Sequence, residues 1–116
     1  MRQLLLSFLF VAVAFGCKKS QTTATDPEPV ASFKITNYVE ESTSTVMEST
    51  AIEFDNTSRD ADSYEWDFGN GVVSTERTPR NVMFRQCPRV ETIRLTVRTR
   101  RGRVATVTQS IRVRCR

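Results

Sequence analysis

Apolar and polar residues alternate with period two along much of the chain after residue 30, and helical periodicity is missing. Alternation places successive side chains on opposite faces of a strand. The apolar members of these runs are Phe33 and Ile35; Ile52 and Phe54; Tyr64, Trp66 and Phe68; Ile93, Leu95 and Val97; and Val107, Ile111 and Val113. Short strands with one apolar face each predict an all-β chain whose two antiparallel sheets pack face to face. The stretch 37–50 lacks this pattern, which leaves a loose hairpin or a long loop.

The last two runs can be aligned as a hairpin from sequence. Residues 100–102 suit a three-residue loop, in which Gly102 takes the left-handed conformation after a type I turn. The numbers of paired residues then sum to 202, which sets Cys87 opposite Cys115. Directly opposed cysteines lie within bridging distance, so the register predicts a disulfide between them. Two buried or free thiols are the alternative.

The N-terminus is short, basic and then apolar. Residues 4–15 are apolar except for Ser7, and this run is too short for a membrane span of about 20 residues. We therefore expect a signal peptide over residues 1–16. The segment Ala14-Phe15-Gly16-Cys17 resembles the lipobox of bacterial lipoproteins, which implies lipidation of Cys17 and a membrane anchor. A plain secretory signal with Cys17 left over is the alternative.

Residues 17–29 follow with no large apolar side chain. Such a segment cannot bury enough surface to offset its ordering entropy, so it predicts a flexible tether. One domain remains, residues 30–116, which we expect to be a monomer. Lys18, rather than an aspartate, follows the cysteine, and this favours the outer membrane or the cell surface. Export also argues against nucleic acid as the partner.

Residues 64–71, "YEWDFGNG", join a strand of alternating aromatics to a glycine-rich corner. We expect the tryptophan to fill the space between the sheets, since it is the largest apolar side chain available. The glycines permit a positive φ, and the polar residues can hydrogen-bond the backbone of the turn. These features favour a structural corner. Its members are Tyr64, Trp66, Asp67, Phe68, Gly69, Asn70 and Gly71.

The same stretch resembles the WDFGDG signature of the polycystic-kidney-disease (PKD) domain, an immunoglobulin-like β-sandwich. Residues 52–58, 78–84 and 93–97 are similar to the flanking segments of that family. The chain departs from the pattern at Asn70, where the family usually has Asp, and in the absence of the Gly-x-Tyr whose places Arg89 and Glu91 occupy. The resemblance implies a non-catalytic module that binds proteins or polysaccharide at the cell surface. A structural spacer without a ligand is the alternative.

Some PKD-like domains, notably those attached to bacterial collagenases, bind calcium near this corner. The resemblance therefore raises a calcium hypothesis in which the ion stabilises the fold, although no fixed ligand spacing is present. Oxygen ligands of the kind that calcium needs are available on neighbouring loops. The candidate ligands are Asp55, Asn56, Asp60, Asp62 and Asp67. No other cofactor is expected.

The sequence contains no histidine, which excludes histidine-based triads and histidine-containing zinc sites. Paired carboxylates would need a cleft, and a domain of this size has little room for one. With the cysteines assigned to a bridge, we expect that the chain is not an enzyme.

Charge is divided between the two halves of the domain. Residues 26–76 carry a net charge of −10, and residues 77–116 carry +11 with twelve arginines and one acid. Parity places Arg94, Arg98, Arg112 and Arg114 on the outward face of the last hairpin. One hypothesis is internal compensation, with Glu65 pairing with Arg94 or Arg98. The other is an anion-binding face for lipopolysaccharide phosphate, an acidic polysaccharide or an acidic protein, since arginine suits forked contacts with oxyanions.

Overall fold

The computed structural model describes residues 27–116, so the predictions for the signal peptide and for Cys17 lie outside the described residues. One turn of 3-10 helix (Glu41–Thr43) accompanies the strands, and no helix in residues 27–116 has the length and apolarity needed to cross a bilayer. The strands are β1 (Phe33–Ile35), β2 (Thr45–Met47), β3 (Phe54–Asn56), β4 (Ser63–Asp67), β5 (Val73–Ser74), β6 (Arg89–Arg98) and β7 (Val104–Arg114).

The strands form two sheets. A small sheet pairs β1 with β3, and a larger sheet has the order β2-β7-β6-β4-β5. A bridge between Ile52 and Val82 adds a further segment beside the small sheet. The predicted two-sheet sandwich is confirmed, with one correction: β2 runs parallel to β7, whereas every other strand pair is antiparallel.

Trp66 lies at the centre of the space between the sheets and is fully buried. Its ring lies 5.1 Å from Phe33 and 5.2 Å from Phe54 between centroids, and Phe68 stacks against it at 5.9 Å. The indole nitrogen donates a hydrogen bond to the carbonyl of Glu76 at 2.9 Å, so burial leaves no unpaired donor. The tryptophan strand therefore anchors the core, as the alternation predicted.

The β6–β7 hairpin has the register that the loop predicted. Val97 faces Ala105, and every other pair along the two strands keeps the same sum of residue numbers. Gly102 sits in the turn with a φ of 91°. Cys87 and Cys115 form a disulfide with their Cα atoms 5.3 Å apart. The bridge therefore closes the hairpin at the end opposite its turn.

The stretch 37–50, which had no alternation, contains a short hairpin, in which Glu40 and Thr45 form an antiparallel bridge around the 3-10 turn. Tyr38 packs against the core, where its hydroxyl accepts a hydrogen bond from Gln109, and burial raises the pKa of this phenol. The backbone then joins the larger sheet: Arg112 donates to the Ser44 carbonyl at 2.9 Å, and Glu48 donates to the Arg114 carbonyl at 2.9 Å. This segment forms one edge of the sheet.

The packed chain begins before Val30, where the tether was predicted to end. Pro29 is buried, and Glu28 forms an ion pair with Arg103 beside the hairpin turn. Val30 and Arg59 then exchange backbone hydrogen bonds at 2.9 Å in both directions. The last residues of the predicted tether are thus held by contacts that composition alone does not reveal.

The disulfide should contribute strongly to stability, because it closes a loop with a sequence separation of 28 residues. We expect the double variant Cys87→Ser/Cys115→Ser to lose about 3–4 kcal/mol in the free energy of unfolding, by the chain-entropy model. Urea denaturation monitored by tryptophan fluorescence measures this loss. Cys17→Ser is the matched control and should leave the midpoint unchanged. Equal midpoints for the double variant and the wild type would contradict the prediction.

Candidate functional site

The corner that follows β4 uses its polar side chains to hold its own turn. Asp67 Oδ1 accepts the backbone N–H of Gly69 at 2.9 Å, and Asn70 Oδ1 accepts that of Val72 at 3.1 Å. Gly69 and Gly71 have φ values of 79° and 83°, which few other residues adopt readily. The geometry is that of a structural corner.

The structure disperses the five calcium candidates. The side chains of Asn56 and Asp62 bind backbone groups of neighbouring loops at 2.6 and 2.8 Å. Asp67 holds the corner, while Asp55 and Asp60 are exposed. Among residues 27–116, no three acidic, cysteine or histidine side chains come together in a group that could hold a metal ion. The calcium ligand set is therefore not assembled in this part of the chain.

The outer face of the larger sheet carries hydroxyl and guanidinium groups. Hydroxyls meet across the two long strands, with 3.4 Å between the oxygens of Thr92 and Ser110 and 3.4 Å between those of Thr96 and Thr106. This face is exposed along both strands, except at half-buried Thr96. Its residues are Val90, Thr92, Arg94, Thr96 and Arg98 from β6, and Val104, Thr106, Thr108, Ser110, Arg112 and Arg114 from β7.

Two of the four arginines on this face are compensated by acids of β4. Arg94 Nη2 lies 3.2 Å from Asp67 Oδ2, and Arg98 Nη2 lies 3.8 Å from Glu65 Oε2. All four side chains are 42–60% exposed, so each pair contributes at most about 1 kcal/mol. The pairs nevertheless cancel the positive charge on this half of the face. On the half of the face beside β4, the arginines are therefore paired as the internal-compensation hypothesis describes.

Further pairs cancel charge around the hairpin turn. Arg100 Nε lies 3.7 Å from Asp62, and Arg103 contacts Glu28. Arg112 and Arg114 differ, because no acid among residues 27–116 lies within 4.0 Å of either guanidinium. The uncompensated charge of the face is therefore concentrated where β7 runs beside β2.

A groove of 550 Å³ opens beside these two arginines. Strand β7 forms its floor, the start of β6 forms one wall, and β2 with the 3-10 turn forms the other. We call it the basic groove; its residues are Glu40, Thr43, Thr45, Pro88, Arg89, Val90, Arg112, Val113 and Arg114. Sequence parity identified Arg112 and Arg114, but the groove itself depends on the parallel strand that the sequence pattern did not reveal.

Glu91 is a buried acid at an inward position of β6. Its side chain is 7% exposed, and Arg89 Nε lies 3.0 Å from its carboxylate. Gly69 packs closely against Glu91 and the backbone of Thr92. A Cβ built on Gly69 would lie 3.0 Å from Glu91 Oε2 and 2.9 Å from the Thr92 carbonyl. Arg89 and Glu91 occupy the places of the Gly-x-Tyr named in the sequence analysis, and their ion pair closes this end of the core.

Solved structures of known proteins are similar to this chain. The PKD1 domain of the Vibrio cholerae metalloprotease PrtV is 32% identical, with a TM-score of 0.58, and the alignment covers 76% of this chain and 99% of that domain. The PKD1 domain of Vibrio anguillarum Epp is 27% identical, with a TM-score of 0.61 and coverages of 79% and 100%. No family model and no curated protein matched the sequence.

A third structure comes from work on the promiscuous specificity of carbohydrate-binding modules of the β-sandwich superfamily. It is 22% identical to this chain, with a TM-score of 0.65. The alignment covers 78% of this chain and 36% of that protein, so the likeness concerns one part of the larger molecule and its fold alone.

The two corner glycines provide a matched test of close packing. Both have positive φ, but a Cβ at Gly69 would meet the Thr92 carbonyl at 2.9 Å, whereas a Cβ at Gly71 meets nothing within 4 Å. We expect Gly71→Ala to cost about 1 kcal/mol and Gly69→Ala about 1–2 kcal/mol more, measured by urea denaturation. Equal losses of stability in the two variants would contradict the prediction and show that the backbone at Thr92 moves to accommodate the added methyl group.

The ion pair between Arg89 and Glu91 should stabilise the fold more than an exposed pair. Arg89→Ala leaves a buried carboxylate without its cation, so we expect a loss of about 1–3 kcal/mol in the free energy of unfolding. Adding Glu91→Leu should restore most of it, since the apolar row of Ile93 then continues. Arg94→Ala, whose partner Asp67 is 42% exposed, is the control and should cost under about 1 kcal/mol. Similar losses for both arginines would count against the prediction.

Proposed function

The chain belongs to the PKD-domain family, and on that basis we propose that it is a non-catalytic interaction module of the bacterial cell envelope. The module binds a surface protein or a polysaccharide through the outer face of its larger sheet. One observation carries this proposal: Arg112 and Arg114 remain exposed on that face with no acid of residues 27–116 within 4.0 Å. Exposed guanidinium groups among hydroxyls suit a polar, negatively charged partner.

Polysaccharide is the partner class that the surface chemistry favours. Five of the eleven residues of the face carry hydroxyl groups and four are arginines. Its two aliphatic residues, Val90 and Val104, are 61% and 48% exposed. Protein interfaces rely more on large aromatic anchors, and the aromatic rings of this domain are committed to the core. The fold is also similar to one part of a structure from work on carbohydrate-binding modules of the β-sandwich superfamily, which supports the same proposal.

The envelope setting rests on the N-terminal sequence. The apolar segment at residues 4–15 directs export, and lipid on Cys17 holds the protein at the outer membrane or the cell surface. Residues 18–26 then separate the anchor from the domain, which leaves the outer face of the sheet accessible. A disulfide between Cys87 and Cys115 fits an oxidising compartment.

The non-catalytic assignment rests on chemistry that the chain lacks. The sequence contains no histidine, and its two cysteines in the domain are joined to each other. The polar atoms of the signature corner are engaged in their own turn. The side chains that remain exposed suit binding rather than turnover.

A pull-down over a salt series tests the proposal. The full-length chain, solubilised in a mild detergent and immobilised, should retain an envelope polysaccharide or a surface protein. Capture should fall steeply between about 50 mM and about 500 mM NaCl, because the contacts are electrostatic. The variant with Arg94, Arg98, Arg112 and Arg114 changed to serine should capture little. Wild-type capture by this variant would exclude the arginine face, and retention of nothing at any salt would favour the spacer alternative.

A further inference from the structure

The four outward arginines of the hairpin are not equivalent. Arg94 and Arg98 lie beside β4, where Asp67 and Glu65 neutralise them. Arg112 and Arg114 are two residues apart on one face of β7, so their Cα atoms are about 6.5 Å apart. Two guanidinium groups at this spacing can converge on one oxyanion. Positive charge therefore persists at one end of the face only.

The charged neighbours of the basic groove do not remove this charge. Glu40 is the only acid that lines the groove, and no ion pair joins it to an arginine among residues 27–116. Its carboxylate accepts a hydrogen bond from the Ser42 hydroxyl at 3.5 Å. Arg89 also lines the groove, and its Nε is directed to buried Glu91. The groove thus presents two arginine forks at its floor.

The groove is preformed by covalent and backbone connections. Cys87 and Cys115 join the wall next to Pro88 to the floor next to Arg114. On the other side, the backbone bond from Arg112 to the Ser44 carbonyl fixes the second wall. A site that is already rigid loses less entropy when a ligand binds. The groove volume of 550 Å³ lies within the range typical of small-ligand sites, about 300–1,000 Å³.

The chemistry of the groove combines three kinds of contact. The arginine forks match the planar oxygens of a carboxylate or the tetrahedral oxygens of a sulfate or phosphate. The exposed hydroxyl of Thr43, held 2.6 Å from that of buried Thr45, is suited to sugar hydroxyls. Val90 is 61% exposed and, with Pro88, offers an apolar wall for the C–H face of a sugar ring. A second groove of 430 Å³ shares Thr43 and Val90 and continues the path past Ser110.

From this combination we propose that the basic groove binds the oxyanion of an acidic sugar residue, with the rest of the polysaccharide chain running along the continuing groove. The inference rests on the proposed function and narrows it to one end of the face and one class of ligand. A neutral sugar would leave the guanidinium groups without partners. An acidic peptide would satisfy them but would not need the row of hydroxyls.

A binding comparison between two double variants tests the site. The full-length chain in mild detergent is titrated against polygalacturonate, dextran sulfate and a phosphorylated mannan, which separate carboxylate, sulfate and phosphate as the group recognised. Dextran and polyglutamate serve as the neutral and the polypeptide controls. We expect Arg112→Gln/Arg114→Gln to weaken binding of the preferred acidic polysaccharide at least tenfold. Arg94→Gln/Arg98→Gln removes the same charge from the same face and should weaken it less than threefold.

Two further measurements separate the outcomes. The thermal midpoint of Arg112→Gln/Arg114→Gln should stay close to that of the wild type, because both side chains are exposed. Amide shifts in an NMR titration with oligogalacturonate, or with an oligosaccharide of the preferred class, should change at residues 43–45, 89–90 and 110–114. Shifts confined to other residues, or a Lys-for-Arg variant of residues 112 and 114 that binds as tightly as the wild type, would overturn the forked geometry.

The remaining results each decide the proposal. Equal weakening by the two double variants would reduce the effect to general charge attraction and overturn the site. Polyglutamate binding with the same dependence on Arg112 and Arg114 would make the occupant an acidic protein. Capture of an envelope partner without binding to any acidic polysaccharide would overturn this inference and leave the proposed function standing. If neither the pull-down nor the polysaccharide titration shows binding, both the proposed function and this inference are overturned.

Discussion

The burial of one indole ring between two sheets is the constraint on which the rest of this structure depends. Trp66 contacts aromatic rings of both strands of the small sheet while belonging to the larger sheet itself. The small sheet has only two strands, so these ring contacts supply much of what holds it in place. Because the aromatic rings pack in the core, the outer face of the larger sheet is left mainly polar.

The charge asymmetry of the sequence is largely resolved by strand order. Acidic β4 lies directly beside arginine-rich β6, and the acidic loop before β4 lies near the hairpin turn. Opposite charges that are far apart in sequence thus become neighbours. On the other side of the hairpin the neighbour is β2, whose residues carry no acid that reaches Arg112 or Arg114 among the described residues. The order of strands decides which arginines remain available.

Sequence reasoning succeeded where side-chain pattern and turn chemistry specify structure. The alternation at residues 93–97 gave the buried face of β6, and Gly102 fixed a register that continues to the cysteines. It failed for β2, because a three-residue strand is too short for an alternating pattern. The basic groove needs that strand as a wall, and so it could not be found from parity. Glu91 is a charged residue, yet its ion pair with Arg89 allows it to lie at an inward position of β6.

The two outer strands of the larger sheet are its shortest. Strand β5 has two residues and β2 has three, while the central strands β6 and β7 have ten and eleven. A short edge offers few unpaired N–H and C=O groups to another chain, which is how natural sheets discourage intermolecular strand addition. Copies of this domain crowded together would therefore gain little from lateral polymerisation, and the long central strands, with their broad polar face, stay free for other contacts.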